Sequence, residues 1–290
     1  VSRRLTLASA ALAAVVSLTA CATPAPAATA PASAPKPDFG ALKHSFGARL
    51  GVYAVDTGSG REVAYRADER FAYASTHKVF SAAAILKRDD DLNQVIKYQA
   101  GDLVTYSPIT EKHVGTGMPL RDVLDAALRY SDNTAANLMF RQIGGPAALG
   151  ASLRGLGDIT THVDRTEPTL NEATPGDLRD TTTPRAWAAD LRGCALGRGL
   201  TPDDQKVLLD MMRANTTGAT VIRAGVPAGW QVADKTGSAE YGGRNDIAVL
   251  WPPHRAPIVL VLLSSKPAKD AKSEDKLLAR ATTEVVRALP

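Results

Sequence analysis

A chain of 290 residues is long enough to bury a substantial core in one large domain or two modest ones, which excludes a small disulfide-stapled peptide. Hydrophobic residues make up 44% and charged residues 22%, the balance of an ordinary globular protein rather than a disordered one. The 34 basic and 30 acidic side chains leave a formal charge of +4, but they are scattered, and no basic stripe interleaved with aromatics is present to bind nucleic acid.

The chain opens with "VSRRLTLASAALAAVVSLTA", two arginines ahead of an apolar run of small and branched residues. That is the layout of an export signal, so residues 1–20 are read as a signal peptide that is removed. "SRRLTL" resembles the twin-arginine export pattern, and Leu18, Thr19, Ala20 and Cys21 resemble the lipobox that precedes a lipidated cysteine. A cut further along would discard Cys21 instead. Residues 21–37, rich in Ala and Pro, have little to bury and read as a tether. Together these segments predict an exported domain, either extracellular or held by lipid at the outer face of the cytoplasmic membrane. With Cys21 lipidated or lost, Cys194 stands alone, so no internal disulfide is expected, and its small apolar neighbours predict an inert buried thiol.

The folded, catalytic part is expected over residues 38–290. "ARLGVYAVDTGSGREVAYRAD" reads as a β-hairpin turning at the glycines of "DTGSG". Helical periodicity follows in "MPLRDVLDAALRYSDNTAANLMFRQIGG", "PAALGASLRGLG", "TPRAWAADLRGCAL" and "TPDDQKVLLDMMRANT", two of these opened by Thr-Pro. "WQVADKTGSAEYGGRNDIAVLWPPHRAPIVLVLLSS" holds three more strands, and residues 273–289 close with a helix. Strands at both ends around a helical middle predict an α+β fold, with a helical lobe over roughly residues 75–218 inserted into a sheet lobe. Residues 164–183, "DRTEPTLNEATPGDLRDTTT", fit neither period. A loop this long inside a domain is usually functional, and Arg165 with Asp180 can close its neck.

The motif S-x-x-K occurs three times, at Ser33/Lys36, Ser75/Lys78 and Ser273/Lys276. Ser33 lies in the tether, and Ser273 reads as a helix N-cap. Ser75 differs, because "VFSAAAIL" after it predicts a buried helix, in which Lys78 is costly unless paired or used. At i and i+3 the two side chains share a face, so Lys78 can hydrogen-bond Ser75 and accept its proton; an N-cap remains the alternative for Ser75. His77 is expected on another face, in packing. Three further groups bear on that choice. Ser131 and Asn133 flank Asp132 at the start of a helix, where Asp132 can cap its own turn. Lys235, Thr236 and Gly237 lie in a strand, the glycine allowing close backbone approach. Glu167 and Asn171 in the long loop can hold one water between carboxylate and amide.

S-x-x-K, S-D-N and K-T-G in this order form the set of class A β-lactamases and penicillin-binding proteins. The chain resembles class A serine β-lactamases from its first strand to its last helix, including "LVTYSPITEKH", "YSDNTAANLMF", "RTEPTLNEATPGDLRDTTTP" and "DKTGSAEYGGRNDIAVLWPP". The resemblance implies a two-lobed fold: a five-stranded antiparallel sheet flanked by helices, plus an all-helical lobe, with the active site between them. It implies that Ser75 attacks the lactam carbonyl, that the amides of Ser75 and Ser238 form the oxyanion hole, and that Ser131 passes a proton to the departing nitrogen. It also implies that Glu167, through a water shared with Asn171, hydrolyses the acyl-enzyme, while Lys78 and Lys235 supply positive potential and Asn133 orients Lys78 and substrate. Lys235, Thr236, Gly237, Ser238 and Arg244 would surround the substrate carboxylate, with Tyr106 at the lip; for Arg244 a plain salt bridge is the alternative.

The expected partner is a small-molecule β-lactam, conferring antibiotic resistance on the host; no cofactor, no metal and no nucleic acid are implied, and the enzyme is taken as a monomer. Ala74 and Ala239 stand where a carbapenem-hydrolysing subgroup carries a cysteine pair, and His77 replaces an aromatic often found there. The five histidines are isolated, without the H-x-H clustering of a zinc enzyme. A penicillin-recognising D-Ala-D-Ala peptidase would share Ser75, Lys78, Ser131 and Lys235 but lack the Glu167 loop. A non-catalytic lipoprotein that binds β-lactams or cell-wall fragments is the other alternative.

Overall fold

The computed structural model describes Val1 and residues 37–289, so Cys21 and nearly all of the expected signal and tether lie outside the described residues. Helix α1 (Phe39–Ser45) begins at Asp38, whose carboxylate caps it by accepting from the Ala41 amide. Strands β1 (Arg49–Asp56) and β2 (Glu62–Tyr65) form the expected hairpin, its turn tightened where Asp56 Oδ1 accepts from the amides of Gly58 and Ser59. From the far end of the chain come β3 (Gln231–Ala239), β4 (Gly243–Trp251) and β5 (Ile258–Ser265). The five make one antiparallel sheet in the order β2-β1-β5-β4-β3, with β1 pairing β5 along its whole length from Arg49↔Ser265 to Asp56↔Ile258.

The run "IVLVLLSS" lacks polar alternation because β5 is covered on both faces. Val259, Val261 and Leu263 join Tyr53, Val55, Ile247 and Val249 in one core, while Ile258, Leu260 and Leu262 join Leu50, Val52, Ala54 and Leu250 in the other. After the hairpin follow α2 (Lys78–Leu86), α3 (Leu120–Arg129), α4 (Asn133–Ile143), α5 (Pro146–Leu156), α6 (Pro184–Ala195) and α7 (Pro202–Arg213). Their apolar faces build the first core. The short α8 (Ile222–Gly225) and the terminal α9 (Asp275–Ala288) pack with α1 to build the second.

Local chemistry sets the helix ends. Asp132 caps α4, and Gly144, at φ 101°, ends it. Thr183 and Thr201 cap α6 and α7, each with proline in the first turn, as the two Thr-Pro pairs predict. Ser273 is a correction: α9 starts at Asp275 with Glu274 in the cap position and no side-chain cap. The first turn is anchored by Asp275 itself, which takes hydrogen bonds from Arg244 and Thr220.

The loop over residues 164–183 is closed as expected. Asp180 is fully buried; its Oδ1 accepts from Tyr73 Oη (3.0 Å) and from the amides of Asp164 (2.9 Å) and Arg165 (3.0 Å), and its Oδ2 from Arg165 Nε (2.5 Å).

A second acidic pair braces the loop's approach. Asp158 and Asp190 are both buried, each leaves its Oδ2 without a partner among the described residues, and burial together with the nearby Asp158 charge pushes the Asp190 carboxyl up to about 9. A carboxyl raised above its unfolded value favours the fold most fully at acid pH, and that contribution is lost as pH climbs from the ordinary carboxyl range toward about 9. Asp190→Asn mimics the protonated form. Its unfolding free energy is expected to match wild type near pH 4–5 and to exceed it progressively toward pH 8, by at most about 1.4 kcal/mol per pH unit, with Tm rising accordingly. A Tm difference that stays constant across that range would rule the raised Asp190 carboxyl out. Cys194 is the free, buried thiol anticipated, and burial lifts its pKa to about 12.

Candidate active site

Ser75 sits in a single 3-10 turn, Ala74–His77, that leads directly into α2. Two outside groups, from α6 and β4, brace the turn. Thr76 Oγ1 donates to Tyr73 O (2.7 Å) and receives Trp187 Nε1 from α6 (2.8 Å), and Asn245 Nδ2 from β4 donates to Ala72 O (2.8 Å) and Tyr73 O (3.2 Å). From the sheet side β3 approaches so closely that a Cβ at Gly237 would lie 3.0 Å from Tyr73 O and 3.2 Å from the Ser75 amide, which is the approach a glycine in this strand was expected to permit. Ala74 (φ 49°), Tyr106 (φ 67°) and Ser131 (φ 58°) adopt left-handed backbone around the same cleft, a concentration of strain typical of functional sites.

The Ser75 hydroxyl caps no helix; it reaches Glu167 Oε1 at 3.3 Å, across 92 positions of sequence. Glu167 is held by its neighbours on every side. Asn137 of α4 clamps its backbone, accepting from the Glu167 amide and donating to its carbonyl, both at 2.9 Å, and the bond to Pro168 is cis. Asn171 Nδ2 donates to Glu167 Oε2, and Asn171 Oδ1 has no partner among the described residues.

Lys78 is fully buried, and its contacts differ from the expectation. Its Nζ turns to Asn133 Oδ1 (2.7 Å), Ser131 O (2.8 Å), Ser131 Oγ (3.4 Å) and Glu167 Oε1 (3.2 Å), and no hydrogen bond joins it to Ser75. Three acceptors and a carboxylate outweigh one neutral hydroxyl as partners for an ammonium group. Lys235 Nζ, also fully buried, donates to Ser131 Oγ (3.0 Å) and Thr236 O (2.9 Å), so Ser131 lies between two lysines. Burial pulls Lys78 below its ordinary value against the opposing Glu167 charge, and burial with the nearby Lys78 charge pulls Lys235 well below its own. Burial alone would raise the Glu167 carboxyl, but the Lys78 charge and the nearby His77 and Lys78 donors hold it down at about 2, so it is ionised and able to accept a proton.

The cleft above these groups has a volume of about 520 Å³ and is lined by Ser75, Tyr106, Ser131, Asn133, Asn171, Thr236, Gly237, Ser238 and Arg244. Lys78, Glu167 and Lys235 lie buried beneath them, so the structure gathers every proposed site residue from 75 to 244 in one place. Arg244 does take part in an ion pair, Nε to Asp275 Oδ1 at 2.6 Å, yet it also donates to Ser238 Oγ (3.2 Å) and faces the cleft. The ion pair and the cleft position are therefore not exclusive: Asp275 holds the guanidinium in place.

The sequence reading missed Thr217, Ser273 and Asp275, which also line the cleft, and Asn137, which clamps Glu167. Only the pattern of Asn137 one turn beyond the S-D-N group hinted at the last. His77 is a correction. It does not point away but is buried against the same carboxylate, with Nε2 3.5 Å from Glu167 Oε1. A tight turn, unlike a regular helix, brings residues 75, 77 and 78 round to one partner.

A serine hydroxyl beside an ionised carboxylate and two buried ammonium groups, with substrate-sized space above, is equipped for acyl transfer to the serine and hydrolysis of the ester. Such a site on an α+β fold of this kind is that of a serine hydrolase. The sequence profile described as "Beta-lactamase enzyme family" matches residues 36–289. The chain is 57% identical over 268 residues to a β-lactamase of Amycolatopsis lactamdurans, covering 92% of this chain and 89% of that one. It is 54% identical over 256 residues to a β-lactamase of Bacillus licheniformis, covering 88% and 83%. The crystal structure of a class A β-lactamase from Clostridium kluyveri superposes with a TM-score of 0.85 at 48% identity, covering 87% of this chain and 97% of that one. The chain belongs to the β-lactamase enzyme family, in its class A.

Proposed function

We propose that this class A β-lactamase opens the lactam amide of penicillin- and cephalosporin-type antibiotics through an acyl-enzyme on Ser75 and frees it by water activated at Glu167. β-Lactam hydrolysis of this kind confers resistance on the producing cell. The observation that carries the residue roles is the 3.3 Å contact between Ser75 Oγ and Glu167 Oε1 in a site sealed from bulk solvent below. Glu167, or Lys78 beside the same carboxylate oxygen, can take the Ser75 proton during acylation, so the carboxylate is indispensable only for deacylation.

Attack turns the lactam carbonyl tetrahedral, and its oxygen takes up charge beside the amides of Ser75 and Ser238, which β3 brings together at Gly237. The lactam C–N bond then breaks, and Ser131, in hydrogen-bond reach of both Lys78 and Lys235, delivers its proton to the departing nitrogen and is refilled through Lys78 with the proton taken from Ser75, which leaves Glu167 ionised again. Thr236, Ser238 and Arg244 receive the substrate carboxylate, and Tyr106, more than half exposed, forms the lip. In the second half, a water between Glu167 and Asn171 loses its proton to Glu167 and attacks the ester, returning Ser75 with its hydrogen.

The test is intact-mass analysis after quenching with a cephalosporin. A Glu167→Gln variant should gain one substrate mass, mapped to the peptide holding Ser75, and Ser75→Ala should gain none. An adduct on Ser75→Ala, or one mapping elsewhere, overturns the assignment. A D-Ala-D-Ala peptidase would hold the adduct without any substitution, and a binding lipoprotein would retain antibiotic unbroken. The arginine pair and apolar run of residues 1–20 support export, the enzyme then being either anchored by lipid at Cys21 or released, and it is taken to act as a monomer.

A further inference from the structure

His77 has no assigned part in the reaction, yet it is one of three residues whose polar atoms converge on Glu167 Oε1: Lys78 Nζ at 3.2 Å, Ser75 Oγ at 3.3 Å and His77 Nε2 at 3.5 Å. The ring is fully buried, stacked on Phe140 of α4 at 5.0 Å and 12°, and tilted against Tyr73 at 5.9 Å, so it cannot swing away. Its Nδ1 lies 3.2 Å from Ser81 Oγ, one turn along α2, and among the described residues its Nε2 faces no polar partner other than the carboxylate.

A neutral imidazole carries one N–H and one lone pair. With the Nδ1–H tautomer, the Nε2 lone pair would face an anionic oxygen in a dry site, which is repulsive. With the Nε2–H tautomer the same contact is an attractive, long hydrogen bond to a charge, and Ser81 can donate to Nδ1. The doubly protonated ring is disfavoured, because burial and the charges of Lys78 and Lys235 oppose it more than Glu167 favours it. We propose that His77 is a positioning residue for the general base: its neutral ring donates Nε2–H to Glu167 Oε1 and holds that oxygen toward Ser75. A phenylalanine could stack on Phe140 but would offer Glu167 nothing.

The other groups facing this pair are Lys78 on α2, Lys235 on β3, Ser75 on the turn, Asn171 on the loop, and Tyr73, whose hydroxyl goes to Asp180. Asp132 acts on the pair only through Lys78. A donor to the ionised form of a carboxylate lowers its affinity for protons, so losing the donor makes the base protonate at higher pH.

The inference rests on the reading of Glu167 as the base of deacylation. Deacylation rates are measured from about pH 2 to 9, the acid end by brief pH jumps, by following loss of the acyl adduct, so that the limb set by a carboxyl held near 2 falls within the range. In His77→Phe the acid limb should move up by about half to one pH unit, and in His77→Gln, whose amide nitrogen can take the place of Nε2, it should return toward wild type. A His77→Phe profile that superposes on wild type, or a His77→Gln profile no closer to wild type than His77→Phe, overturns the proposal. Nitrogen NMR of the unsubstituted full-length protein gives a second reading that does not depend on variants folding. Nε2 of His77 should be protonated and Nδ1 bare at pH 7; the reverse tautomer overturns it. If Glu167→Ala turns over like wild type, the base assignment fails by itself, and the NMR result still decides the His77 contact.

Discussion

Glu167→Ala binds a chromogenic cephalosporin and becomes acylated, then releases product roughly 10²–10⁴-fold more slowly than wild type, the range expected when a positioned general base is lost. The variant stalls as a covalent ester and is not simply inactive, because the groups above Ser75 remain. Ser131 stays between Lys78 and Lys235, and the Ser75 and Ser238 amides still face the carbonyl. What disappears is the one ionised acceptor within 3.3 Å of Ser75 and the partner of Asn171. Stopped-flow absorbance should show a burst near one equivalent and a slow steady state. Turnover equal to wild type would remove Glu167 from its role.

The second large effect falls on stability. Asp180→Ala leaves the Arg165 guanidinium, the Tyr73 hydroxyl and the amides of Asp164 and Arg165 without their common acceptor. Removing one partner of a buried ion pair strands the other, at a cost of roughly 3–5 kcal/mol. For a domain of this size that corresponds to a fall in Tm of about 6–20 °C. Arg165→Ala should cost less, since Asp180 keeps three neutral donors and Glu172, the other partner of Arg165, is half-exposed. Scanning calorimetry on both variants and the double variant measures the coupling; a Tm for Asp180→Ala within 2–3 °C of wild type, roughly 1 kcal/mol, would show that the clasp does not hold the loop. Because Glu167 and Asn171 ride on this loop, the deacylation rate should drop with the Tm while the acylation burst is better preserved.

These two predictions draw on different kinds of legibility. Glu167 was recognisable only beside its companions, since one carboxylate in a charged loop says little. Asp180 was legible as the far side of a loop neck, but not as the acceptor for Tyr73, which lies 107 positions away. His77 escapes the sequence because two places along a regular helix it would face away from Ser75, whereas the 3-10 turn brings both to Glu167, a partner far off in the chain.

Local chemistry, by itself, determined the elements of this protein. Threonine before proline started α6 and α7, glycines ended α4 and turned the first hairpin, and apolar runs marked strands buried on both sides. Those signals act within a few residues, so they survive reading one residue at a time. Ordered motifs then placed the nucleophile, two lysines and the carboxylate in one family. Tertiary structure alone decided which atoms meet: that Lys78 turns to Asn133 and Ser131 rather than Ser75, that Asp275 steadies Arg244, that Asn137 grips the Glu167 backbone, and that an imidazole faces the base. Such contacts join segments far apart in the chain. Their strength comes from exclusion of water, which exists only once the two cores have closed around them.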